Sequence, residues 1–147
     1  MTRLKKYDIY KQTGIDWIGE IPEHWEVIRI KYRVNYKKGK NPKELSFEEN
    51  GKVYLSMEYL RENPKQLFYV KDFSNFVNVD ANEILLLWDG SNAGEFIRSK
   101  EGVLSSTMSV LKFEEVNNEF AWYLLKSFER FLKEATIGMG IPHVDGD

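Results

Sequence analysis

The chain reads EILLLWDGSN at Glu83–Asn92. Its apolar part, Ile84–Trp88, is a run without any polar residue. A short apolar run that ends at a turn is typical of a strand buried on both faces. The residues that follow, Asp89 to Asn92, are of the types that favour turns. We therefore predict a buried strand over Glu83–Trp88 that is followed directly by a polar turn. The run is much too short to cross a bilayer, so we expect no membrane association.

Four other segments carry strand signals. Thr107–Phe113 alternates, with Met108 and Val110 on one face. Phe68–Val79 is rich in aromatic and β-branched residues, and Val53–Leu55 follows the turn signal Asn50-Gly51. The period of two is strongest at 28–36, where apolar residues alternate with polar ones and predict a half-buried strand with an exposed polar face: Arg29, Lys31, Arg33 and Asn35.

One helix is predicted, over residues 118–135. Asn117 or Asn118 can cap its start, and Glu119 suits its first turn. Its apolar stripe comprises Phe120, Leu124, Phe128 and Leu132, widened by Leu125 and Phe131. The fold class that follows is α+β: a single domain over residues 1–147 with a strand-rich mixed sheet and a late amphipathic helix.

Charge and composition restrict the possible partners. The 147 residues have a net charge of −2, which argues against a stand-alone nucleic-acid binder. Yet seven Lys/Arg and no acidic residue lie between Val27 and Lys43. That distribution suits either a phosphate-facing surface or a solvated strand face whose lysines protect a sheet edge. The chain has no cysteine, which excludes disulfides and thiolate metal sites and fits a reducing cytoplasm.

Motifs for catalysis are missing from the sequence. Gly90–Gly94 has the wrong spacing for a nucleophile elbow, and the two histidines, His24 and His143, form no metal-binding pair. A calcium loop beginning at Asp89 would need a glutamate at its twelfth position, where Lys100 stands. We therefore expect no enzyme activity, no metal and no cofactor.

Four segments, in this order, resemble one known family. They are GIDWIGEIPEHWEV at Gly14–Val27, the stretch around Gly39 at Tyr36–Pro42, Glu83–Met108, and the helix and loop ending TIGMGIPHV at Phe120–Val144. Together they are similar to the specificity subunits of type I restriction-modification enzymes. The resemblance implies a first target-recognition domain that reads one half of a split site on double-stranded DNA.

The same resemblance implies partners and a missing part. In that family the methyltransferase (modification) subunits and the motor/nuclease (restriction) subunits carry the catalytic activities. Each recognition domain is followed by a long helix, and the present chain stops at Asp147 before one. We therefore expect a truncated half of a specificity subunit, without the spacer helix or the second domain.

Candidate DNA contacts fall into three groups. Phosphates would be bound by basic side chains and base edges by short polar ones, while glycines would let the backbone approach the duplex. The alternative for the polar groups is that Asp89-Gly90 only shapes a turn and that residues 105–107 only cap or edge a strand. The phosphate group is Lys37, Lys38, Lys40 and Lys43; the base group is Asn41, Ser91, Asn92, Ser105, Ser106 and Thr107; the backbone group is Gly138, Met139 and Gly140.

Two functions from different classes remain open. The first is sequence-specific DNA recognition in a type I restriction-modification system. The second is a non-catalytic protein-interaction module that pairs with, or competes for, restriction-modification partners without useful DNA binding. Self-association also stays open. Charge reversal of the basic segment separates the two functions, because only DNA binding depends on it.

Overall fold

The computed structural model describes residues 6–62, 64–136 and 144. The chain divides into two compact units, Met1–Tyr32 and Arg33–Asp147. The single domain expected over residues 1–147 stays a prediction. The strands are β1 Tyr10–Gln12, β2 Glu20–Pro22, β3 Val34–Lys38, β4 Lys52–Leu55, β5 Tyr69–Val70, β6 Asn78–Val79, β7 Ile84–Leu87, β8 Phe96–Arg98, β9 Gly102–Leu104 and β10 Met108–Phe113; the α-helices are α1 Met57–Arg61 and α2 Asn118–Glu134.

The first unit is built on a small hairpin. Strands β1 and β2 pair antiparallel, and the Thr13 amide donates to the Gly19 carbonyl across the connection at 3.0 Å. The Tyr7 ring lies 5.3 Å from the His24 ring and 6.1 Å from the Trp25 ring, centroid to centroid. Aromatic packing of this kind stabilises a unit that has little room for an aliphatic core.

The strand predicted over 28–36 is wrong in its first half. A single turn of 3-10 helix occupies Ile30–Tyr32, and pairing begins only at Val34, at the start of β3. The partner strand β10 ends at Phe113, opposite Val34, and a hydrogen bond from the Glu114 amide to the Arg33 carbonyl closes the pairing at this end. At its other end β3 runs on to Lys38, two residues beyond the strand predicted over 28–36.

The second unit contains two four-stranded sheets. The first has the order β3-β10-β7-β8 and is antiparallel throughout. The second has the order β5-β4-β9-β6, in which β4 and β9 run parallel. Within 68–79, two-residue strands flank a 3-10 turn at Phe73–Asn75, so the strand-like character predicted there holds only near its ends.

Strand β7 is the buried strand that the sequence predicted. All four of its residues are buried, because it has a neighbour on each side and a core on each face. Leu85 and Leu87 belong to a core with residues of the second sheet and α1, whereas Ile84 and Leu86 belong to a core with α2. Strand β10 divides in the same way, as its alternation predicted. The α+β architecture is confirmed.

Helix α2 begins where the sequence predicted. The Asn117 side-chain oxygen accepts hydrogen bonds from the Glu119 and Phe120 amides, at 2.9 and 3.1 Å. The predicted stripe is partly wrong, because Phe120 and Phe131 are 47% and 54% exposed. The α2 side chains that pack in the core with the sheet include Ala121, Leu125, Phe128 and Leu132, with Trp122 beside them. A strict spacing of four drifts around a helix of 3.6 residues per turn, whereas spacings of four and three keep to one side.

Candidate nucleic-acid interface

Three of the predicted segments meet at one end of the first sheet. Strands β3 and β7 both pair antiparallel with β10 and flank it. The ends of β3 and β7 therefore lie beside the start of β10. The residues at this end are Lys38–Asn41, Trp88–Asn92 and Ser105–Thr107, and we call them the sheet-end face.

Backbone hydrogen bonds hold these segments together. The Gly39 amide donates to the Met108 carbonyl at 3.0 Å, and the Trp88 amide donates to the Thr107 carbonyl at 2.7 Å. Gly39 is buried. A Cβ atom there would lie 2.7 Å from the Leu104 carbonyl carbon and closer still to the Leu104 and Ser105 carbonyl oxygens. Only glycine permits this approach of the two backbones.

Residues of the sheet-end face take part in an aromatic pair and an ion pair. The Tyr36 and Trp88 rings stack with centroids 5.1 Å apart and planes 26° apart. The Lys38 ammonium lies 2.7 Å from an Asp89 carboxylate oxygen and 5.6 Å from the centroid of the Trp88 ring. The sequence analysis did not predict that Tyr36 stacks on Trp88 or that Asp89 pairs with Lys38. The available signal was that Tyr36 and Lys38, two residues apart, share one face of a strand.

The four candidate lysines do not form a single patch. Lys38 lies opposite Ser109 and Lys37 opposite Val110, so their side chains leave opposite faces of β3. Lys40 and Lys43 follow the strand and are exposed. Neither of these two makes an ion pair within the described residues. Lys38 differs, because Asp89 already neutralises its charge.

The polar candidates differ in how much of each side chain is available. Ser105 is only 4% exposed, and its hydroxyl oxygen lies 2.9 Å from that of Thr107. Thr107 is exposed, as are Ser91 and Asn92 in the turn after β7. Ser106 is half-buried, and its amide donates to the Asn41 side-chain oxygen at 2.9 Å. Gly138, Met139 and Gly140 lie outside the described residues.

The structure also bears on membranes and metals. No helix in the described part of the chain has the length and apolar character needed to span a membrane. Across residues 6–62, 64–136 and 144 there is no cluster of three or more His, Cys, Asp or Glu side chains able to hold a metal ion.

Comparison with known families supports the resemblance, in a match that begins within the first of the four segments. A family model described as the type I restriction modification DNA specificity domain matches residues 22–147. The chain therefore belongs to this family of DNA specificity domains, and the resemblance predicted from the sequence is confirmed.

Individual specificity subunits are also similar to this chain. The type I restriction enzyme MjaVIII specificity subunit of Methanocaldococcus jannaschii is 48% identical over 131 residues, which cover 85% of this chain and 30% of that protein. The HsdS subunit from Thermoanaerobacter tengcongensis has a TM-score of 0.66 at 15% identity, covering 92% of this chain and 36% of its own. The S subunit from M. genitalium has a TM-score of 0.58 at 19% identity, covering 80% and 30%.

The two solved structures establish likeness of fold. The chain spans about a third of the length of the relatives it matches, from 30% of the curated one to 36% of a solved one.

Proposed function

We propose that this domain recognises a DNA sequence and reads one half of a bipartite site for a type I restriction-modification system. One observation carries the proposal. Three segments distant in the sequence converge at one sheet end, where they present exposed short polar side chains and lysines. They do so in a chain that belongs to the DNA specificity family.

Phosphate contacts would come from the loop after β3. Lys40 and Lys43 are exposed cations that make no ion pair within the described residues. Lys38 would join them by exchanging the Asp89 carboxylate for a phosphate, and Lys37, on the other face of β3, would reach a flanking phosphate. Such contacts position the protein on DNA and make affinity fall as salt rises, without conveying sequence.

Base contacts would come from the exposed polar residues. Ser91, Asn92 and Thr107 are exposed, and their short side chains hold hydrogen-bonding groups close to the backbone. Ser105 is buried, and its role would be to orient the Thr107 hydroxyl. Ser106 would contribute through its position beside Asn41. A close backbone approach at Gly138, Met139 and Gly140 rests on the family resemblance alone.

The catalytic activities would lie on other chains. The curated relative is named a specificity subunit, and another structural neighbour is titled as a study of complex assembly in the type I system. By the same inference the partners would be the modification and restriction subunits, and this domain would need no cofactor. A cytoplasmic location belongs to this proposal because cellular DNA is the expected ligand.

The test is selection of bound duplexes from a randomised pool at low salt, followed by sequencing. We expect enrichment of one short motif of a few base pairs. A one-residue charge variant outside the sheet-end face, Gln66→Glu, is the matched control and should select the same motif. Retention of DNA without any motif would contradict sequence reading by this domain alone. Failure to retain DNA would favour the partner-binding alternative.

A further inference from the structure

The side-chain amide of Asn41 is fixed by two donors. The Ser106 amide and the Tyr54 hydroxyl both donate to the Asn41 Oδ1 oxygen, each at 2.9 Å. A backbone N–H group can only donate, so the atom that faces Ser106 has to be the oxygen rather than the nitrogen. The fold itself therefore sets which way this amide points.

In this arrangement the Asn41 side chain has only hydrogen-bond donors available for a ligand. An amide oxygen has two lone pairs, and Tyr54 and Ser106 use both of them. The Nδ2 group carries two N–H donors and makes no hydrogen bond within the described residues. Asn41 is an exposed residue of the sheet-end face.

Tyr54 is placed to maintain that state. It lies on β4 opposite Val103 of the parallel strand β9, which leads directly into residues 105–107. Burial raises the pKa of the Tyr54 hydroxyl, and a hydrogen bond with the Ser105 side chain lowers it by less. A phenol hydroxyl is protonated at neutral pH even at its ordinary pKa of about 10. The raised pKa extends this protonated, hydrogen-donating form to higher pH.

We propose that Asn41 contacts DNA as a donor-only group that takes an acceptor atom of the duplex, and that Tyr54 is its positioning residue. The inference rests on the proposed DNA binding. An unconstrained asparagine pairs with adenine through both N6 and N7, and that pairing requires a free amide oxygen. Asn41 has no such oxygen. Its acceptor is a purine N7 or O6, a thymine O4 or a phosphate oxygen, and it repels the amino group of cytosine.

The first test compares variants of the full chain in binding to a duplex recovered from the selection. Asn41→Asp keeps an oxygen for Ser106 and Tyr54 but replaces the N–H donors with a second oxygen. We expect its affinity to fall roughly tenfold or more, since one good base contact has about that effect. Gln66→Glu adds the same charge at an exposed residue outside the three segments and should change affinity less than about twofold.

The second test concerns Tyr54. Tyr54→Phe should weaken DNA binding in the wild-type background and should have no further effect in Asn41→Asp, since a positioning residue acts through the group it positions. Duplexes with 7-deazapurines or with methylphosphonates then separate the possible acceptors. Loss of the wild-type advantage over Asn41→Asp on 7-deazapurine DNA assigns a purine N7, and loss on methylphosphonate DNA assigns a phosphate oxygen. An advantage that persists on both assigns an exocyclic base oxygen, purine O6 or thymine O4. Each of these results supports the proposal.

The outcomes that overturn it are distinct from failure of the DNA-binding proposal. If the wild-type chain binds DNA and Asn41→Asp binds as well as Gln66→Glu, the donor contact does not exist. Additive effects of Tyr54→Phe and Asn41→Asp would overturn the positioning role of Tyr54. If the wild-type chain binds no DNA in the selection, the proposed function fails, and this inference fails with it.

Discussion

Gly39→Ala is expected to lower the free energy of unfolding by roughly 1–3 kcal/mol, as overpacking of a closely packed site does. The added methyl group would lie 2.7 Å from the Leu104 carbonyl carbon, and backbone cannot move aside as a flexible side chain can. The loop after β3 would have to separate from Ser105–Thr107. We therefore also expect DNA affinity to fall at temperatures where the variant remains folded.

Urea denaturation followed by tryptophan fluorescence measures the first effect, and fluorescence anisotropy of a labelled duplex measures the second. The neighbouring exposed residue supplies the control, because Lys40→Ala should change stability by no more than about 0.5 kcal/mol. Equal unfolding free energies for Gly39→Ala and Lys40→Ala would show that the two backbones do not approach each other closely here.

Lys40 and Lys43 make no ion pair within the described residues, and their double reversal, Lys40→Glu with Lys43→Glu, is expected to weaken DNA binding by roughly a hundredfold at 50 mM salt. Each lost phosphate contact reduces the slope of log affinity against log salt by about 0.9, so the slope should become shallower by about two. Lys38 is omitted because Lys38→Glu would bring a second carboxylate against Asp89, where the ion pair now measures 2.7 Å, and would change stability as well.

The companion variant Asp89→Asn should have the opposite effect. It frees the Lys38 ammonium for a phosphate, so the salt slope should steepen by about one and affinity for duplexes of random sequence should rise roughly tenfold at 50 mM salt. Salt titrations of all three proteins on one duplex give the comparison. If the wild-type chain binds DNA and neither variant changes the slope, the phosphates are contacted by another surface.

The parts of the fold that the sequence predicted are those set by local pattern. Strand β7 is buried on both faces and therefore apolar throughout, and α2 has a cap and an apolar side within one segment. The start of β3 could not be predicted, because it depends on where β10 ends, almost eighty residues later: Val34 pairs with Phe113. The buried face of α2 likewise depends on what the sheet presents to it.

The candidate site was likewise predictable only where local sequence pattern determines it. Residue types and turns indicated which loops are polar, and the structure brings three of those loops together. Which charged or hydrogen-bonding atoms of a side chain remain available to DNA depends on partners that are distant in the sequence. Lys38 is paired with Asp89, 51 residues away, and Asn41 with Ser106, 65 residues away. No local sequence pattern indicates such pairs, so the sequence analysis made no distinction between Lys38 and Lys40.

The most direct test of the central claim is a titration of the ¹⁵N-labelled protein with the selected duplex, followed by amide chemical shifts. The protein is small enough for this measurement, at 17.3 kDa. If the sheet-end face binds DNA, the largest shifts will fall in Lys38–Asn41, Trp88–Asn92 and Ser105–Thr107 together. Shifts confined to α2 or to the β1–β2 hairpin, with these three segments unchanged, would contradict the account.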